Sequence, residues 1–132
     1  MSDSSDRPAR KAVVIGGASG IGWATAQALA AEGCRITVAD LNAAGARSRA
    51  AELGAPHTAA AVDVTDEDSV QRLFDDAGPL DIAVKCAGFS NVGLITDMPV
   101  ADFRAVIDVC LTGSMIVMKH AGRHLRDGGS LV

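Results

Sequence analysis

The stretch Val13-Val14-Ile15-Gly16-Gly17-Ala18-Ser19-Gly20-Ile21-Gly22 runs three apolar residues into a glycine-rich turn, and Trp23 to Glu32 behind it reads as a helix. Strand, glycine turn and helix, in that order, form the context that a dinucleotide-binding fingerprint requires. Each glycine has a physical reason. Gly16 ends the strand where the chain turns tightly, and glycine tolerates positive φ there. Gly20 lets backbone N–H groups approach a pyrophosphate, and Gly22 lets the helix pack close to the strand. The phosphates would rest on the helix N-terminus, among unpaired N–H groups at the positive end of the dipole.

Outward from this turn the chain alternates strand and helix. Lys11 to Gly16 reads as a first strand and Gly20 to Glu32 as a first helix, stopped by Gly33. Cys34 to Ala39 is a second strand ending at Asp40, and Asn42 to Leu53 a helix capped by Asn42. His57 to Val62 is a third strand ending at Asp63. Thr65 is a suitable N-cap for a helix whose first turn holds Asp66, Glu67 and Asp68 and which ends near Ala77. Leu80 to Cys86 is a fourth strand and Phe89 to Met98 a loop. Pro99 to Arg126 reads as one long helix, stopped by Asp127-Gly128-Gly129 before an apolar Ser130-Leu131-Val132 that begins a fifth strand. Strands separated by helices argue for a parallel sheet covered on both faces. Right-handed crossovers and one switch point give a doubly wound α/β sheet of the Rossmann type, order 3-2-1-4-5, with the ligand over the carboxyl ends of the first and fourth strands.

Bulk numbers narrow the classes. The 132 residues suit one domain, with 1–10 a flexible tail and 11–132 the folded unit. Hydrophobic residues make up 48% and charged residues 21%, the balance of a globular chain. Lys plus Arg is 12 against 16 for Asp plus Glu, a net charge of −4 that argues against nucleic acid. No apolar run reaches the ~18–20 residues of a membrane span, and the polar N-terminus has no signal-peptide core, so the expected compartment is the cytoplasm. Cys34, Cys86 and Cys110 are far apart and form no CxxC pair, which favours buried thiols over a disulfide or zinc. His120 and His124, four residues apart, have no third ligand nearby in sequence and read as helix-surface histidines; no metal is expected. The run from Phe103 to Met118 is apolar nearly all round, which calls for burial on more than one face.

Asp40 stands about 20 residues after the glycine turn, where a carboxylate can accept hydrogen bonds from ribose hydroxyls. It would repel a 2′-phosphate. With no Lys or Arg beside Ser19 in sequence and Leu41 following, NAD is expected over NADP. The alternative is a helix-capping Asp. Asp63 could accept from an adenine amino group with Val64 packed on the ring; the alternative is an Asp that opens a loop. Asp81, at the start of the fourth strand, lies on the wrong edge and is expected to be solvated.

Gly16-x3-Gly20-Ile21-Gly22, Asp40, Asp63-Val64, Ala87-Gly88 and Val109-x-Leu111-Thr112-Gly113 together resemble the short-chain dehydrogenase/reductase family from about Lys11 to Val132. The resemblance implies a doubly wound domain that moves hydride between a nicotinamide cofactor and a small alcohol or carbonyl. The implied cofactor contacts are Gly16, Ser19, Gly20, Ile21, Gly22, Asp40, Leu41, Asp63, Val64, Cys86, Ala87, Gly88 and Val109. Departures stand beside it. Ile15 replaces the usual Thr, Lys85-Cys86 replaces an Asn-Asn pair that steadies sheet and loop, and Cys110 replaces a functional Asn. Fewer hydrogen bonds and weaker binding are therefore expected, with Cys110 itself buried. The chain holds no tyrosine. The family's catalytic Ser and Tyr-x3-Lys follow the fifth strand, so these residues read as the N-terminal, cofactor-binding half, truncated in or after that strand. They are expected to be inactive alone and, with an open edge and an uncovered helix, to self-associate or to be only marginally folded. A non-catalytic NAD-binding module and a non-functional fragment are the other readings.

Overall fold

A computed structural model describes residues 7–132. Its elements are β1 (Lys11–Ile15), α1 (Gly20–Ala31), β2 (Arg35–Asp40), α2 (Ala43–Leu53), β3 (Thr58–Ala61), α3 (Glu67–Ala77), β4 (Leu80–Lys85), α4 (Val100–Ile107), α5 (Gly113–His124) and β5 (Leu125–Leu131). The strands form one parallel sheet in the order β3-β2-β1-β4-β5. This is the doubly wound arrangement expected. The tail over 1–10 lies in part, at residues 1–6, outside the described residues, and Arg10 is tied down: its carbonyl accepts from Arg35 N at 2.8 Å.

Successive side chains of a strand point to opposite faces, and β1 uses both. Val13 and Ile15 face a cluster that holds Val70, Leu73 and Phe74 of α3 with Ile116, Val117 and Ala121 of α5. Ala12 and Val14 face a second cluster with Ala26 of α1 and Ala46 and Ala50 of α2. The central strand is therefore apolar from Ala12 to Ile15, as burial on both faces demands.

Four expectations are corrected. The cap of α3 is Asp66, whose side chain accepts from the Asp68 and Ser69 backbone N–H groups, while Thr65 turns back and donates to Asp63. The third strand begins at Thr58, because the His57 ring nitrogen Nδ1 accepts from Ile36 N at 3.1 Å in place of a ladder bond. The loop from Phe89 to Met98 holds one 3₁₀ turn, Ile95–Asp97.

The fourth concerns the long helix, which is not uniform. A five-residue π segment, Asp108–Thr112, separates α4 from α5, and α5 ends at His124. Residues expected to stop the helix belong to β5 instead. Leu125 pairs with Leu80, Ser130 with Ile82 and Leu131 with Ala83, so the extra residues bulge between. Gly128 takes φ +80° in that bulge. A Cβ on Gly129 would stand 2.9 Å from both the Arg126 and Asp81 carbonyl oxygens. Helix-stop residues and bulge residues are the same types, and only pairing with β4 separates the two readings.

Candidate cofactor site

The glycine turn leaves β1 at its carboxyl end and enters α1. Gly16 has φ +80°, and a Cβ there would stand 2.6 Å from Ala87 N in the loop after β4. Gly16 N and Gly17 N both donate to the Ala39 carbonyl, at 2.8 and 3.1 Å, and Cys86 N donates to Ile15 O at 2.8 Å. The turn is thus clamped between the ends of β2 and β4. A Cβ on Gly22 would stand 2.0 Å from the Gly16 carbonyl oxygen, so α1 begins in contact with the turn. Gly20 has φ +56° and nothing within 4 Å of where a Cβ would lie, which leaves open space before the helix. Ser19 makes no side-chain cap to α1, and the first turn of α1 holds no acidic residue. Its first N–H groups face that space without a protein carboxylate, an anion-accepting end.

A cleft of about 460 Å³ lies over these ends. It gathers all thirteen residues expected, from Gly16 through Val109, and adds Ile15, Val62 and Phe89. Phe89 is a lining residue that motif reasoning passed over; an aromatic placed directly after Ala87-Gly88 was the available signal.

Asp40 sits at the rim. Its Oδ2 accepts from Ala18 N at 3.1 Å and its Oδ1 from Asn42 N at 2.9 Å, so the carboxylate ties the glycine turn to the loop before α2. Asn42 is the cap of α2, accepting from Gly45 N. The cation expected to be absent near Ser19 is present in space. Arg49 of α2 donates from Nε to Ala18 O at 3.1 Å, pairs with Glu52 at 3.0 Å and lies over Trp23 at 4.7 Å from the ring centroid. It is thirty-one residues from Ala18 in sequence, and only the packing of α2 on α1 brings it there. Asp63 accepts the Thr65 N–H (2.9 Å) and hydroxyl (2.7 Å) on one oxygen, Oδ1. Asp40 is not the cap of α2, which is Asn42, and Asp63 opens its loop; each carboxylate organises its loop and lines the cleft.

Lys85 makes a hydrogen bond of its own where the resemblance implies a lost side-chain amide. Its Nζ donates to the Val109 carbonyl at 2.9 Å, and among the described residues no buried side-chain nitrogen or oxygen lacks a partner. Burial pushes the Lys85 ammonium below the ordinary lysine value, while the nearby Cys110 and Cys86 sulfurs oppose that shift. Cys110 is exposed rather than buried, with Sγ 3.6 Å from the Phe89 carbonyl; Cys86 is half-buried and Cys34 buried. His120 is also corrected. It is 2% exposed, and its Nε2 donates to Glu67 Oε1 at 3.0 Å, because α5 packs on α3. His124 pairs with Asp75 at 3.1 Å and stacks on Phe74. Asp81, expected to be solvated, accepts from Lys11 N (2.8 Å) and Arg126 (2.9 Å), far from the cleft. Among the described residues no group of His, Cys, Asp and Glu is placed to hold a metal, and no helix is long and apolar enough to cross a membrane.

Glycine cradle, free helix amides and a rim carboxylate fit a dinucleotide. Comparison with known proteins agrees. Residues 16–132 match the family model described as enoyl-(acyl carrier protein) reductase. The chain is 45% identical over 129 residues to cis-4-hydroxycyclohexanecarboxylate dehydrogenase of Sinomonas cyclohexanicum, covering 92% of this chain and 51% of that enzyme. It is 36% identical over 125 residues to human 3-oxoacyl-[acyl-carrier-protein] reductase, covering 90% and 53%. A solved short-chain type dehydrogenase/reductase from Mycobacterium ulcerans superposes with a TM-score of 0.86 at 33% identity, over 92% of this chain and 49% of that one. The chain belongs to the short-chain dehydrogenase/reductase family. It spans about half the length of the curated relatives it matches.

Proposed function

We propose that this chain is the cofactor-binding half of an NAD-dependent oxidoreductase acting on a small alcohol or carbonyl. Asp40 carries the preference for NAD. Its carboxylate stands on the cleft rim at the end of β2, where it can accept from both ribose hydroxyls and repel a 2′-phosphate. Arg49 is close by but is committed to Glu52, Trp23 and Ala18 O, which leaves it poorly placed to offset that repulsion. The α1 amides and the Gly16–Gly22 turn take the pyrophosphate, Asp63 and Val64 the adenine, and Cys86, Ala87, Gly88 and Val109 close the other side. Bound nicotinamide supplies or accepts the hydride; this chain's residues hold the dinucleotide and exclude water from its apolar side. Two relatives are dehydrogenases of hydroxyl-bearing compounds by name, cis-4-hydroxycyclohexanecarboxylate and D-threitol, which supports the alcohol or carbonyl class. The expected setting is the cytoplasm.

Titration of the protein with NADH and NADPH by calorimetry tests the reading. NADH is expected to bind at least tenfold more tightly, and Asp40→Ala to narrow or reverse the ratio. Equal or tighter NADPH binding by the unmutated protein overturns the NAD assignment, and no binding of either overturns the function.

A further inference from the structure

The π segment Asp108–Thr112 is held on three sides. A π turn breaks the i to i−4 ladder; here Gly113 N reaches back to Asp108 O, and such a turn leaves neighbouring carbonyls in need of other donors. Lys85 supplies one, from the end of β4: its Nζ donates to Val109 O at 2.9 Å, a charge-assisted bond. The Ser114 hydroxyl supplies another, to Cys110 O at 2.7 Å. On a second side the Cys110 sulfur is 3.4 Å from where a Gly88 Cβ would lie and 3.6 Å from Phe89 O. On the third, a Cβ on Gly113 would stand 2.9 Å from Val64 Cγ2, so the turn rests on the loop after β3. Val64 and Val109 then face the same cleft, while Lys85 does not line it.

We propose that Lys85 is a positioning residue: by holding the Val109 carbonyl, its ammonium sets the Val109 side chain beside Val64 as the apolar side of a slot for a flat heteroaromatic base. The bond runs from a strand end, fixed in the sheet by Lys85 N donating to Val132 O at 2.8 Å and by its pairing with Ile15, to a turn that lacks the regular ladder. A rigid element thus places a weak one. A methionine at 85 keeps the apolar stem but removes every donor, and an arginine keeps a cationic donor. The proposal rests on the dinucleotide reading, with the adenine ring as the base.

Three variants test it: Lys85→Met, Lys85→Arg and Val109→Ala, with the Lys85→Met/Val109→Ala double variant closing a cycle. The readouts are the Kd for ADP-ribose by calorimetry and the amide hydrogen-exchange rate of the peptide spanning residues 108–113 by mass spectrometry. Lys85→Met is expected to weaken ADP-ribose at least fivefold and to speed amide hydrogen exchange across the turn at least threefold. Lys85→Arg should stay within twofold of the unmutated protein on both. In the Val109→Ala background, Lys85→Met should cost less than twofold in affinity, because the side chain it positions is gone; a general loss of stability would not depend on residue 109. Lys85→Met within twofold of the unmutated protein on both readouts, or an equal affinity loss in both backgrounds, overturns the proposal. If Lys85→Met does not fold, Lys85→Gln, whose amide stops short of the carbonyl, takes its place in the same cycle. Failure of the unmutated protein to bind ADP-ribose sinks the dinucleotide reading instead, and the exchange rates still decide whether Lys85 holds the turn.

Discussion

Gly20 and Gly22, two residues apart, are needed for different reasons, and their substitutions separate the two. A Cβ on Gly22 meets the Gly16 carbonyl oxygen at 2.0 Å, so Gly22→Ala must move backbone. A Cβ on Gly20 meets nothing, and the cost of Gly20→Ala is only the left-handed backbone at φ +56°, about 1–2 kcal/mol. Gly22→Ala is expected to exceed that loss in denaturant titration and to abolish NADH binding. Gly20→Ala should stay folded, with a methyl group projecting into the space expected for the phosphates. Equal stability losses from the two variants would contradict the contact at Gly22.

Helix α3 owes its start to Asp66 and its place to α5. Asp66→Ala removes the acceptor of two N–H groups and is expected to cost about 1 kcal/mol, more than Thr65→Ala, whose hydroxyl serves the preceding loop. Further along, Glu67 joins the two helices. Lys119 first and His120 second hold its carboxyl below the ordinary glutamate value. A carboxyl with a depressed value in the folded state stabilises that state at pH above its unfolded value and stops doing so as pH falls through the folded value. The melting temperature of the unmutated protein should therefore exceed that of Glu67→Gln near neutral pH, and the gap should close as pH falls below about 4. Thermal melts across pH 3–7, a range bracketing the ~4.3 of ordinary glutamate, measure it. A gap that persists at the acid end would mean that the α3–α5 contact does not depend on the charge of Glu67.

Over the whole molecule the apolar surface is unevenly shared. The α4–α5 segment buries Ile116, Val117 and Ala121 against the sheet, yet Phe103, Leu111, Met115 and Met118 are more than half exposed. So many large apolar side chains exposed on one helical segment are uncommon on monomers. A second copy of the chain is the expected occupant. Sedimentation velocity should show association in the micromolar range, and Met115→Glu with Met118→Glu should reverse it while leaving the far-ultraviolet circular dichroism unchanged. A monomer at all concentrations would contradict this.

The alternation of strands and helices, the sheet order and the composition of the cleft were legible in the linear sequence. Each depends on local rules: apolar period, glycine where φ is positive or space is absent, an acid at a strand end. Folding decided the rest, since it rests on partners distant in the chain. Arg49 comes beside Ala18, His120 is buried against Glu67, and the chain from Leu125 leaves the helix for a strand because β4 pairs with Leu125, Ser130 and Leu131 around a bulge. Lys85 read as a lost amide, since the resemblance places an asparagine there; its reach across 24 residues to Val109 exists only because β4 ends beside a π turn.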